Sequence, residues 1–177
     1  MPRSRGRGLA SVPEHLRRSR IHTPGCDWNY TDSCADELIE LKRVDRDAYE
    51  VLAALIIDAI DVGLDVDDNG GDTYTVPVGW HVDRQRHFSR KPMPWLGELK
   101  AEGTWGRQVD YRLYFLETKI APDGEADAIL GSSCPAGKGV AGDYDQGGQT
   151  GDMLDAMWRG IKWCEAHDPV RLWRVWE

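Results

Sequence analysis

Four cysteines, five histidines and a few clustered cations are the side chains in this sequence that could do chemistry. Cys26, Cys34, Cys134 and Cys164 form no C-x-x-C pair, and their spacing fits no common zinc pattern. They read as small buried hydrophobes. His81, His87 and His167 add no spacing that would complete a metal site, so no metal and no cofactor is expected. Gly131 to Lys138 follows an apolar run and looks at first like a phosphate-cradling loop. The pattern G-x-x-x-x-G-K-[ST] fails twice: Gly131 and Gly137 enclose five residues rather than four, and Gly139 stands where a Ser or Thr would hold magnesium. What remains is cationic. Arg84, Arg86, His87, Arg90 and Lys91 form a basic cluster between Arg84 and Pro94, while Lys100, Arg112 and Lys138 are scattered along the chain. Side chains of this kind hold phosphate or carboxylate.

Those cations sit in an anionic chain. The 177 residues carry a formal net charge of −8, unevenly spread. Residues 1–25 hold six arginines and one acid, Glu14, whereas the rest holds 16 basic and 29 acidic side chains. The first segment, rich in Arg, Gly, Ser and Pro without lasting periodicity, reads as a basic, mostly disordered tail with a short turn of helix near Pro13–Arg18. Residues 26–177 read as a single globular domain. An acidic body repels nucleic acid over most of its surface, so any contact with RNA requires a local basic patch. No stretch approaches the roughly 20 apolar residues of a membrane helix. The polar, arginine-rich start lacks the apolar centre of a secretory signal. A cytoplasmic protein with free thiols and no membrane contact is expected.

The elements that must position these residues follow from the apolar pattern. Trp28 to Thr31 alternate as a short strand, and Ser33 with Asp36 resembles a capping box opening a helix with Ala35, Leu38, Ile39 and Leu41 on its apolar side. Asp45 looks like a fresh N-cap. From Ala48 the apolar positions 48, 52, 55, 56, 59, 60 and 63 keep helical spacing over four turns, and Gly63 suits a helix end. Two consecutive helices in an antiparallel hairpin are expected. Asp65 to Asp72 reads as an exposed turn, Tyr74 to Trp80 as an edge strand containing Pro77, Trp95 to Glu102 as a strand, and Val109 to Glu117 as a strand rich in Tyr, Phe and Leu. Pro122-Asp123-Gly124 signals a turn, with Ala126 to Ser132 as the returning strand. Residues 134–151, with many glycines, read as a long loop. An amphipathic helix then starts near Asp152, and Val170 to Trp176 alternates as a final strand. Helices followed by a strand meander imply an α+β fold.

This order and several short motifs resemble the RelE/HigB superfamily of toxin–antitoxin proteins, especially its phage-derived HigB-like branch. Trp28 through Leu41 resembles the opening strand and helix. Leu96-Gly97-Glu98-Leu99-Lys100 looks like the family's L-x-E-L-[RK] strand, and Tyr111-Arg112-Leu113-Tyr114-Phe115 like its Y-R-[LV]-x-[FY] strand. Ile129-Leu130 followed by Lys138 resembles the next strand and its lysine-bearing loop. Gln149, Met153, Ala156, Arg159 and Trp163 resemble the closing helix. The likeness covers about residues 27–166. It requires segments 95–101, 109–117 and 126–132 to be neighbouring strands. The acidic body, the loop Gly131 to Lys138 and the long segments 65–94 and 131–151 depart from the family pattern.

The resemblance implies a RelE-like fold: a small meander sheet packed on the N-terminal helical hairpin, with a C-terminal helix. It also implies a ribosome-dependent mRNA endoribonuclease, neutralised by a cognate antitoxin, in which a ribose 2′-OH attacks the adjacent phosphate without a metal. Such a reaction needs a proton acceptor, cations for the phosphorane and a donor for the leaving oxygen. Strand alternation puts Arg112 and Tyr114 on one face with Asp110, and Tyr111, Leu113 and Phe115 on the other. On this reading Lys100, Arg112 and Lys138 are the catalytic cations, and Tyr114, Arg84, Arg86, His87 and Tyr144 bind substrate, with mRNA and the ribosome as partners. A second reading stays open: the same fold, catalytically silent, of phage or mobile-element origin, acting by protein–protein binding to a host factor. In that case Arg112 simply pairs with Asp110 or Glu98. Eight tryptophans are many for this length. Trp28, Trp163 and Trp173 suit a core, and Trp80, Trp95 and Trp105 suit base stacking or an interface.

Overall fold

The computed structural model of the protein describes residues 12–21, 25–64, 74–103, 109–120, 128–139 and 146–176. In chain order, strand β1 (Asp27–Tyr30) leads into helices α1 (Asp32–Val44) and α2 (Arg46–Val62). Strand β2 (Tyr74–Val78) and a single helical turn, α3 (Arg84–His87), precede strands β3 (Leu96–Glu102), β4 (Val109–Lys119), β5 (Ala128–Ser133) and β6 (Lys138–Gly139). Helix α4 (Gln146–Ala166) and strand β7 (Leu172–Trp173) follow.

The hairpin forms because its caps are built in. The Thr31 hydroxyl, not Ser33, accepts from the Cys34 N–H and starts α1, so the helix begins at Asp32. Asp45 does two jobs. Its N–H bonds to the Leu41 carbonyl to close α1, and its carboxylate accepts from the Ala48 N–H at 3.2 Å to open α2. One residue between two helices forces a sharp reversal, and Gly63, at φ 84°, ends α2 as expected.

The sheet runs β1-β5-β4-β3-β2, with β6 and β7 pairing to opposite ends of β4. β1 is parallel to β5, and the other pairings are antiparallel, so the sheet is mixed. β3, β4 and β5 lie side by side, the adjacency that the resemblance requires. The α+β class therefore holds. Helices cover both faces. α4 packs on the face carrying Leu96, Leu116 and Leu130; the Ser132 hydroxyl donates to the Ala156 carbonyl there. The opposite face carries Leu113 and Phe115, with Trp28 and Trp95 tilted against Phe115 at ring separations of 6.0 and 6.3 Å.

Three expectations shift. Residues 12–21 fall inside the segment read as a disordered tail, yet they are packed: Val12, Leu16 and Ile21 are buried. The reason lies at the other end of the chain. Arg174 donates to the carbonyls of His15 and Arg18 and to Glu117, and Trp95 Nε1 donates to the Leu16 carbonyl at 2.8 Å. Glu117 in turn accepts from the Ser19 hydroxyl and the Arg20 N–H. Trp95 is therefore fully buried beneath Arg174 and unavailable for base stacking. Second, α4 starts at Gln146, a full turn and a half before Asp152. Glycines disfavour helix weakly, and docking against the sheet overrides that preference. Third, the last strand shrinks to Leu172–Trp173 plus a Pro94–Val175 bridge, because Arg171 and Arg174 turn inward. Trp105 and the two turn signals at 69–72 and 122–124 lie outside the described residues.

Candidate functional site

Strand register brings the scattered cations together. Lys100 lies directly opposite Arg112 across β3 and β4, and Glu98 lies opposite Tyr114. On the far side of β4, Lys138 in β6 lies opposite Asp110. Residues 38 positions apart in sequence thus meet on three adjacent strands, at the end of the sheet nearest the start of α4.

The same register supplies carboxylates. Arg112 Nη1 bonds to Glu98 Oε1 at 2.6 Å, and its Nη2 lies 3.9 Å from Asp110 Oδ2. Lys100 Nζ lies 3.1 Å from that same Asp110 oxygen. Arg112 therefore pairs with both Glu98 and Asp110. Glu98 is only 1% exposed. Burial raises its carboxyl above the usual range, and the Arg112 guanidinium is the largest opposing influence. Its second oxygen has no hydrogen-bond partner among the described residues. Tyr114 is buried beside Gln149 of α4, and burial, followed by the Glu98 charge, pushes its phenol up. Counting Glu102 opposite Asp110, three carboxylates face Lys100, Arg112 and the Lys138 position. The ensemble is charge-balanced, with each cation already engaged wherever its side chain is described. A phosphodiester entering here has to displace a carboxylate from a guanidinium that is only 19% exposed.

The described residues among the remaining predicted substrate binders stand elsewhere. Arg84 and Arg86 are exposed on α3, and His87 is half-buried. That segment runs beside the second half of α4, where Phe88 stacks on Trp158 at 5.2 Å and Lys91 pairs with Glu165. Gln149 and Trp158 are nine residues apart on α4, about 13 Å at the helical rise. The basic cluster and the ion-pair cluster are therefore separate surfaces. Tyr144 lies outside the described residues. Arg159, matched to the closing helix, is held by Glu37 and Asp155, each at 2.7 Å, so it fastens α4 to α1. Among the described residues no group of three or more His, Cys, Asp or Glu side chains is placed to hold a metal, and no helix is long and apolar enough to cross a membrane.

A second feature was not singled out from the sequence. The hairpin exposes large apolar side chains: Ile39 is 68% exposed and Ile57 57%, with Val44, Val51, Ile60 and Val62 also open. Between the two helices lies a groove of about 430 Å³, lined by Tyr30, Leu38, Ile39, Tyr49, Ile57 and Ile60, with Lys42 over the Tyr49 ring. The signal was present in α2, where Val51 to Ile57 are all apolar and thus ring the helix, more than one buried stripe requires. Of the exposed apolar side chains, Tyr30, Ile39, Ile57 and Ile60 line that groove. No family model, curated protein or solved structure matches the chain.

Proposed function

We propose that this chain is a protein-binding α+β module of RelE/HigB-like arrangement in which the cation cluster is structural and the helical hairpin is the working surface. The observation that carries this reading is the apolar groove on the hairpin, open along most of α1 and α2. The charge-balanced cluster around Arg112 points the same way. Cleavage of a phosphodiester needs cations available to the developing phosphorane, and here Lys100 and Arg112 are engaged by Asp110 and Glu98. The partner is a host protein under this reading.

One observation favours the ribonuclease alternative: the register gathers Lys100, Arg112 and Lys138, the three cations that the family likeness singles out. A single experiment separates the two. The full chain is expressed in a bacterial host, and the purified protein is incubated with translating ribosomes and mRNA. The expected result is normal growth and intact message. Cleavage by the wild type that is lost in Lys100→Ala or in Arg112→Lys, with the variants still folded, overturns the protein-binding reading in favour of the endoribonuclease.

A further inference from the structure

We propose that Arg84, Lys91 and Trp176 form a site for a single phosphate-sized oxyanion, taken either as the free ion or as a phosphate monoester. With Phe88, Pro92 and Met93, these residues line a cavity of about 80 Å³ between α3 and the segment that follows β7. The basic cluster legible in the sequence thus sets two of its cations, Arg84 and Lys91, at a cavity rather than on an open face. The volume is well below the roughly 300 Å³ at which pockets for drug-sized ligands begin, so it admits one small group and not a nucleoside. Two contacts fix its wall. Phe88 stacks on Trp158 at 5.2 Å, and the Trp176 backbone N–H donates to the Met93 carbonyl at 3.1 Å.

The donors around this cavity lack acceptors. Trp176 is 2% exposed, and its Nε1–H has no acceptor among the described residues. The indoles of Trp95 and Trp173, by contrast, donate to the carbonyls of Leu16 and Pro92 at 2.8 and 3.1 Å. A buried donor without an acceptor is costly, and an anion oxygen in the cavity supplies one. The Arg84 guanidinium is exposed and engages no carboxylate among the described residues. Its planar fork matches phosphate geometry. Lys91 pairs with Glu165, but the two side chains are 40% and 42% exposed, so this pair contributes little and gives way to a ligand at small cost. Donors from three positions along the chain favour a tetrahedral group, whose oxygens point in several directions, over a planar carboxylate.

The test follows the indole N–H signals of the eight tryptophans by NMR, in the nitrogen-15-labelled full chain, during titration with sodium phosphate at constant ionic strength. The Trp176 signal is assigned by its loss in Trp176→Phe, or from through-space contacts to Met93 if that variant does not fold. It is expected to move saturably with phosphate and to stay in place with chloride. Arg84→Gln should weaken phosphate binding at least tenfold, and Lys91→Gln about threefold. Neither side chain is buried, so both variants keep their fold, checked by circular dichroism. O-phosphoserine blocked at both ends then separates the two sources of the group. Tenfold tighter binding of the ester assigns the site to a phosphorylated side chain, equal or weaker binding assigns it to the free ion, and either outcome supports the proposal. A Trp176 signal that phosphate leaves in place overturns it. So does a shift that chloride or acetate reproduces at the same concentration, or an affinity that Arg84→Gln leaves unchanged. None of these residues lines the hairpin groove, so failure here leaves the protein-binding reading in place.

Discussion

Replacing Arg112 by methionine distinguishes a structural cation from a catalytic one. Methionine keeps an unbranched stem and removes the charge, so Glu98, 1% exposed, loses the guanidinium 2.6 Å away. Breaking a buried pair in this way costs about 3–5 kcal/mol, because an uncompensated carboxylate is left behind. The lower end, about 3 kcal/mol, is expected here: the Arg112 side chain is 19% exposed, and Lys100 also acts on Glu98. In a chain of this size that corresponds to a fall of about 6–12 °C in Tm. Urea unfolding followed by tryptophan fluorescence at pH 5 and pH 8 measures it. Burial holds the folded Glu98 carboxyl above its unfolded value, and losing Arg112 raises it further. Between those two values the folded state binds the extra proton, so stability is present at low pH and is lost as pH rises through the folded value. The deficit of the variant should thus be larger at pH 8 than at pH 5, and Glu98→Gln in the same background should recover most of it. A deficit below about 1 kcal/mol that does not change with pH would refute this account and return the guanidinium to a catalytic role.

Three other outcomes follow from local geometry. Gly151 sits inside α4 with nothing within 4 Å of where a Cβ would stand, so Gly151→Ala should stabilise the fold by about 0.5–1 kcal/mol in the same urea assay. Gly97 is the opposite case: an added Cβ would lie 2.2 Å from the Phe115 ring, and Gly97→Ala should cost about 1–3 kcal/mol or more and lower Tm accordingly. Among the thiols, Cys34, Cys134 and Cys164 are buried, and Cys26 is pushed up to about 11 by burial and by Asp27. With a disulfide reagent at pH 8, only Cys26 should react in the native protein. Its rate should be about one order of magnitude below that of an unperturbed thiol, because the higher basicity of the thiolate offsets part of its scarcity, and all four should react after unfolding in urea.

Much of the architecture was legible because it rests on local signals. The period of Ala48 to Gly63, the Asp45 cap and the alternation of Tyr111 to Phe115 each announce their element, and the structure places all three as read. The misreadings come from contacts between distant residues. Nothing near Val12 or Leu16 says that Arg174 and Trp95 will hold that segment down. Nothing in Gln146 to Gly151 says that docking on the sheet will make a glycine-rich stretch helical. For the site, alternation put Arg112 and Asp110 on one face, and the possibility that Arg112 pairs with Glu98 or Asp110 could be written down from the sequence. The depth of Glu98 could not, because it depends on α4 closing over that face. The groove escaped notice because Ile39 and Ile60 fit an apolar pattern that normally points inward, and only the packed hairpin reveals which members of the pattern stay outside.

The latch at Arg174 also bears on how the molecule comes together. The guanidinium joins carbonyls 156 and 159 positions away, so its hydrogen bonds close one of the longest loops that the chain can form. Such contacts come late, since the entropy of closing the loop is spent before the bonds form. The strands β3, β4 and β5 and the hairpin can assemble from neighbouring segments first, with residues 12–21 settling onto Trp95 afterwards. Read backwards, the same order makes this segment the first to loosen under mild denaturant, so amide exchange at Leu16 and Arg17 should outpace that of β4.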